Sequence, residues 1–214
     1  MRAPRAPPKV DSRPGFRYSN PPMLGIALGA ASFLVVFWVD AVSLKNLRRA
    51  KPVLWILGGI LFVAGLVLAA RDPSPIAFPA GLAAAGWALG GMFFLLLVYS
   101  LFIEIPFVSA YVREGAPPAV VSRGTYALCR HPGVLWLAGF LASLLLATGS
   151  HALFIAVPLW VGLDALWVAL QEKLYFVRMF GGAYESYQRT VPMLVPTPRS
   201  IRECVRTVFR RKRK

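Results

Sequence analysis

Negative charge and sulfur are scarce in this chain, and over one long reach there is no positive charge either. Its 214 residues hold 9 Asp+Glu against 24 Lys+Arg, with 2 Cys and 2 His. Cys129 and Cys204 make neither a disulfide framework nor a Cys/His metal-ligand spacing, which excludes a stapled secreted scaffold and a structural zinc module. No metal is expected. Charged residues are 15% of the chain, hydrophobic residues 57%, and mean hydropathy is +0.59. A soluble domain carries about 25% charged residues, so a soluble enzyme and a disordered segment are both excluded. From Gly133 to Leu170 there is no Lys or Arg. What is present, therefore, is the composition of an integral membrane protein with basic ends.

The placement of the net charge of +15 supports this. Arg199, Arg202, Arg206, Arg210, Arg211, Lys212, Arg213 and Lys214 follow the last apolar run, and basic residues concentrate in loops and tails as membrane topology requires. Anionic lipid headgroups are the expected partner of this tail. Nucleic acid is not, because no nucleic-acid-binding motif accompanies the charge.

The chain divides into four regions. Residues 1–22 form a Pro/Arg-rich arm. Residues 23–112 carry N-terminal transmembrane helices, Met23 to Leu44 and Val53 to Ala70, followed by the stretch Ile76 to Val112. That stretch is long for one span and short for two, and reads as one long, kinked helix or a tight helical pair. Residues 113–197 hold a polar connector, a hairpin of Gly133 to Thr148 and Ala152 to Leu170, and a mixed-polarity segment ending near Gly181-Gly182. Residues 198–214 are the basic tail. The expected fold is all-α: a polytopic bundle of about five transmembrane helices with a C-terminal cytoplasmic helical cap. The 45–52 loop, the 113–132 connector and the tail are all basic and share one side, which puts the C-terminus in the cytoplasm.

Chemistry concentrates in Gly124-Thr125-Tyr126-Ala127-Leu128-Cys129-Arg130-His131-Pro132 before the hairpin, and in Glu172 with Phe180-Gly181-Gly182-Ala183-Tyr184-Glu185-Ser186-Tyr187 after it. A short turn at 149–151 returns both arms to one membrane face. A cation, an imidazole and a carboxylate gathered there suit a small zwitterion, with aromatic walls for a base. Each has a plainer reading too. Arg130 and His131 are ordinary interface residues before a helix begun by Pro132, Glu172 is a hydrated helix end, and Tyr184 and Tyr187 are expected as interfacial anchors. Cys129 is expected to be a packing residue. Glu104 and Asp164 are acids within apolar runs, a position that is costly unless paired or functional.

The order G-x-Y, R-H-P, apolar hairpin, Glu, F-G-x-x-Y-x-x-Y and V-P resembles the integral-membrane methyltransferases that include isoprenylcysteine carboxyl methyltransferase and the phospholipid N-methyltransferases. The resemblance covers about residues 117 to 197. It implies S-adenosylmethionine at the cytoplasmic end of the bundle and an amphiphilic or lipid-like acceptor arriving from the bilayer. It also implies cofactor contacts at Tyr126, His131, Pro132, Gly133, Val134 and Glu172, with backbone contacts from Ala119, Val120 and Val121. Arg130 is also expected at the cofactor, whose carboxylate would take Arg130 or His131 together with backbone N–H groups. Catalytic candidates are Glu104, His131 and Glu172. The chain departs from the family pattern at Val134, Trp136 and Lys173, and Val168 stands where prenylcysteine-methylating members carry an arginine, which points away from that acceptor. Two other readings stay open: a membrane reductase of the sterol-reductase type using NADPH, and a non-catalytic membrane module of the same fold.

Overall fold

The computed structural model describes residues 21–44, 50–73, 75–104 and 120–210, except the side chains of 40–44, 50–51 and 209–210. The arm before residue 21, the core of the basic 45–52 loop, Ala119 with most of the connector, and the last four residues lie outside the described residues. Every regular element among the described residues is a helix. In order they are α1 (Pro21–Leu44), α2 (Ala50–Ala70), α3 (Ala80–Val98), α4 (Thr125–Leu128), α5 (Pro132–Thr148), α6 (His151–Gln171), α7 (Val177–Phe180), α8 (Gly182–Thr190) and α9 (Pro198–Arg210). Wider π-type turns extend α3 through Tyr99–Glu104 and join α6 to α7 through Glu172–Phe176.

Among the described residues, four stretches are long and apolar enough to cross a membrane: Pro21–Val39, Pro52–Ala70, Ala80–Glu104 and His151–Phe180. The apolar α5 is shorter, its 17 residues rising about 25 Å at 1.5 Å each. Large apolar side chains point outward along these helices, among them Trp38, Ile56 and Leu95 at 62%, 64% and 68% exposure. In water that surface would be a liability; against acyl chains it is the expected exterior.

Without a hydrophobic drive between helices in lipid, association depends on close backbone approach. The α1–α2 crossing is built that way. A Cβ placed on Gly65 would come within 2.5 Å of the Gly29 backbone nitrogen, and one on Gly25 within 2.5 Å of that of Ala69. The fully buried Trp160 of α6 lies over Gly29 and donates from Nε1 to the Ile26 carbonyl at 3.1 Å. On the other side, α3 meets α5 where Gly86 faces the Ser143 and Ala147 backbone, and Phe93 stacks on Trp136 at 6.3 Å. Leu137, Leu141, Leu153 and Ala156 fill the centre.

The helix ends sort into two groups. At one end Ser150 Oγ donates to the Ala69 carbonyl (2.5 Å), Ile76 N–H to Gly149 O (2.8 Å), and His151 N–H to the Asp72 carboxylate (2.8 Å), which caps α6 from another loop. Gly149 ends α5 at φ +66°, and a Cβ there would strike the Ile76 carbonyl at 2.1 Å. This tie corrects the expected start of the third span. The helix begins at Ala80 rather than Ile76, because Ile76 spends its N–H on the hairpin turn and Pro79 sets the first turn of α3. At the opposite end lie Arg130, His131, Glu172 and α7 to α9.

Candidate functional site

Glu172 is the hub of that end. It sits where α6 passes into its π-type turn and is 6% exposed. Its carboxylate accepts from Arg130 through Nε to Oε1 (2.7 Å) and Nη2 to Oε2 (3.0 Å). His131 Nε2 reaches Oε1 at 2.8 Å, Tyr184 Oη donates to Oε1 at 3.0 Å, and Gln188 Nε2 to Oε2 at 3.0 Å. An ionised carboxylate has about four lone-pair sites, so five donors saturate it. The Arg130 pair is the bidentate fork that suits guanidinium to carboxylate. The remaining Arg130 nitrogen, Nη1, donates to the Gln188 and Val191 carbonyls at 3.1 and 2.7 Å.

The chain positions these groups with backbone as well as side chains. Pro132 starts α5, so Arg130 and His131 lie in the non-helical residues just before it and keep their N–H groups for other partners. Those go to Pro192 O (2.9 Å) and Met193 O (3.2 Å), which ties the segment after α8 to the start of the hairpin. An aromatic wall lines the cluster. His131 stacks on Phe176 (6.2 Å between centroids), Phe176 and Phe180 both meet Tyr184, and Tyr184 meets Tyr187. With Nε2 donating to Glu172, a neutral His131 keeps Nδ1 as an acceptor, and Nδ1 makes no hydrogen bond among the described residues.

A second polar cluster lies beside the first, at the end of α3. Thr125 donates its N–H to both Glu104 oxygens at 3.0 Å and its hydroxyl to Oε2. Ser100 Oγ lies 3.1 Å from the Thr125 hydroxyl and accepts from Trp136 Nε1 at 2.8 Å. Tyr126 Oη donates to the Ser100 carbonyl at 3.3 Å, and Tyr187 Oη to the Tyr126 carbonyl at 2.5 Å. The π-type turn at Tyr99–Glu104 delivers Ser100 and Glu104 to this cluster.

Of the expected site residues, Arg130, His131 and Glu172 come together. Tyr126 belongs to the second cluster, joined to the first through Tyr187. Pro132 and Val134 are buried, and Gly133 faces Leu101 of α3, so any ligand contact there falls to backbone. Val120 and Val121 are half-buried; Val120 borders an open cleft of about 290 Å³ with Ser122, Ala183, Ser186, Tyr187 and Thr190. Ala119 lies outside the described residues. Glu104 is 4% exposed and committed to Thr125, and Asp164, half-buried on α6, has no hydrogen-bond partner among the described residues. Trp136, at a departure from the family pattern, holds Ser100 and packs on Phe93.

The expectation for Tyr184 and Tyr187 is corrected. They are 5% and 7% exposed, inside the protein and not at an aromatic belt. Burial pushes both hydroxyls up from their ordinary value, and the Glu172 carboxylate pushes Tyr184 further, so both remain donors. Gln188 is a member that sequence reasoning missed.

Cys129 is fully buried, and burial pushes its thiol up to about 12, which leaves no thiolate near neutral pH. Maleimide is therefore expected to modify Cys204 alone in the folded protein and both cysteines after denaturation. Intact-mass spectrometry reads this as one adduct against two; two adducts in the native state would show the segment before Arg130 to be open.

Compared with family models, curated proteins and solved structures, the chain matches none.

Proposed function

We propose that this chain is an integral-membrane methyltransferase. It binds S-adenosylmethionine where Arg130, His131 and Glu172 converge, and its methyl acceptor is amphiphilic or lipid-like and arrives laterally from the bilayer. In this reading all five long apolar helices cross the membrane, the shorter α5 included, and the site and the C-terminus are cytoplasmic. The observation that carries the proposal is the bond set on Glu172, which joins the R-H-P segment to a residue 42 positions away across the hairpin from Arg130.

The residues present fit the cofactor. One fixed cation, one carboxylate and an imidazole acceptor match a ligand with a carboxylate and an ammonium, and the aromatic wall of Phe176, Phe180 and Tyr184 suits an adenine. The open cleft of about 290 Å³ beside Tyr187 is bordered by Val120 but not by Arg130, His131 or Glu172. S-adenosylmethionine supplies, when bound, a methyl group on a sulfonium that an anion or a free amine displaces in line. Arg130 and Glu172 hold each other at fixed distance, His131 offers Nδ1, and the phenols and Phe176 keep water from the pair. Tyr184 and Gln188 are neutral donors on Glu172, so they yield to an incoming ammonium at the least cost.

A second reading has a specific observation behind it. Glu172 is already saturated, as a purely structural clasp would be, and a non-catalytic module of this fold needs nothing more. Calorimetric titration of the purified protein separates the readings. S-adenosylmethionine and S-adenosylhomocysteine are expected to bind and NADPH not to, and His131→Ala, which removes one bond of five, is expected to weaken both sulfur nucleotides. NADPH binding alone identifies the reductase; no binding of any of the three leaves the clasp.

A further inference from the structure

The helix α9 uses only part of its circumference within the protein. Its start is capped: Thr197 and Ser200 exchange hydrogen bonds (Thr197 N–H to Ser200 Oγ at 2.9 Å, Ser200 N–H to Thr197 Oγ1 at 3.2 Å) around Pro198 in the first turn. From there three sectors run along the helix. Ser200, Cys204 and Thr207, at three- and four-residue spacing, face the protein, with Ser200 buried and Thr207 Oγ1 accepting the Gly124 N–H at 2.9 Å. Ile201, Val205 and Val208 form an apolar sector that the protein leaves uncovered, at 47%, 52% and 39% exposure, and Val195 just before the helix is 76% exposed. Arg199, Arg202 and Arg206 form a basic sector; Arg199 and Arg202 flank an open cleft of about 390 Å³ with Glu203.

We propose that α9 is an interfacial helix whose partner is an anionic bilayer surface, with Ile201, Val205 and Val208 entering the headgroup–acyl boundary and Arg199, Arg202 and Arg206 meeting lipid phosphates. This does not rest on the methyltransferase reading; it rests on the apolar spans.

Four observations favour a bilayer over any other occupant. The attachment of α9 is at the right level: Thr207 holds Gly124, the next residue, Thr125, is held by Glu104, and Glu104 is the last described residue of the membrane-length stretch from Ala80. The charge is complementary, because in the sequence the helix is followed by Arg211, Lys212, Arg213 and Lys214, in a chain of net charge +15. An exposed apolar sector beside a basic one is the pattern of a helix lying in the interface, whereas a nucleic-acid surface calls for charge without the apolar stripe. The bundle to which α9 is attached is itself sheathed in exposed apolar side chains, so lipid is the nearest available solvent for Val205.

The test uses the full chain carrying Cys204→Ala, with Cys129 too buried to label. Spin labels are placed singly at Val205→Cys and Arg202→Cys, in nanodiscs of phosphatidylcholine alone or with phosphatidylglycerol. Collision with oxygen against a water-soluble nickel chelate reads the depth of each label. In anionic discs the label at 205 is expected to show a several-fold higher oxygen-to-nickel ratio than that at 202. The ratio at 205 is expected to fall in neutral discs and in the combined Arg199→Gln, Arg202→Gln, Arg206→Gln variant. Equal ratios at the two positions in anionic discs would overturn the proposal. So would a label at 205 equally deep in neutral and anionic discs, since charge would then have no part in seating the helix. Cys129 protected from maleimide in each variant certifies that the site segment has kept its fold.

Discussion

Glu172→Ala is expected to destabilise the protein by about 3 kcal/mol and to abolish the proposed S-adenosylmethionine binding. Removing one member of a buried ion pair commonly costs about 3–5 kcal/mol, because the charge left behind has lost its partner. Here the lower end applies: Arg130 keeps the Gln188 and Val191 carbonyls through Nη1, and its side chain retains 10% exposure. The loss extends beyond Arg130, since Tyr184 and Gln188 also lose their acceptor. Fold and ligand are separated by the double variant Arg130→Met with Glu172→Leu. Replacing both members of such a pair with apolar residues removes the unpaired charge, so thermal unfolding in detergent should return part of the way to the parent value, the remainder being the Tyr184 and Gln188 donors still left without Glu172. Titration with S-adenosylhomocysteine should still show no binding. If the double variant binds it as the parent does, the cofactor site lies elsewhere. If the double variant is as unstable as Glu172→Ala alone, the pair is not the coupled unit described above.

Much of the architecture is legible in the amino-acid sequence because lipid imposes a simple requirement. A spanning helix needs about 20 apolar residues, and runs of that kind stand out against Lys45 to Lys51, Arg71 to Pro75 and the connector. The clusters of small residues from Gly25 to Ala31 and Gly81 to Gly91 suit close helix packing, and Gly25, Gly29 and Gly86 do make close backbone contacts, whereas Gly81 and Gly91 have no neighbour within 4 Å of an added Cβ. What composition does not reveal is the local path of the chain at the ends of the spans. Nothing in Tyr99–Glu104 announces a π-type turn, yet that turn carries Ser100 and Glu104 to Thr125. Tyrosines near a span end read as a belt, and only the fold distinguishes a phenol in headgroups from one aimed at a carboxylate. Gln188 gives no signal at all, being one amide among polar residues of a short helix. Arg130, His131 and Glu172 stand out in the order of the motifs; the aromatic wall that surrounds them is formed only by the fold.

Gly65→Ala is expected to cost about 3 kcal/mol, and the same change at Gly59, earlier on the same helix, to cost nothing. Both glycines lie in the interior of α2. A methyl at Gly65 would sit 2.5 Å from the Gly29 nitrogen and 2.8 Å from the Gly25 carbonyl oxygen, both of them backbone atoms that no rotamer change can move. The helices must separate, and with them goes the seat of Trp160, whose ring lies over Gly29. In a membrane the separated helices stay in apolar surroundings, so little transfer energy is at stake. The cost lies in lost van der Waals contact and in strain, for which overpacking figures of about 1–3 kcal/mol apply. The upper end is the expected one because both obstructing atoms belong to a rigid neighbouring helix. At Gly59 nothing lies within 4 Å of the added carbon. There the intrinsic preference of alanine for helix, worth up to about 1 kcal/mol over glycine, is the only term left. Unfolding of the two variants in detergent by thermal scan, each against the parent, reads the difference directly. Equal and small effects would mean that the α1–α2 crossing is looser than its backbone contacts require.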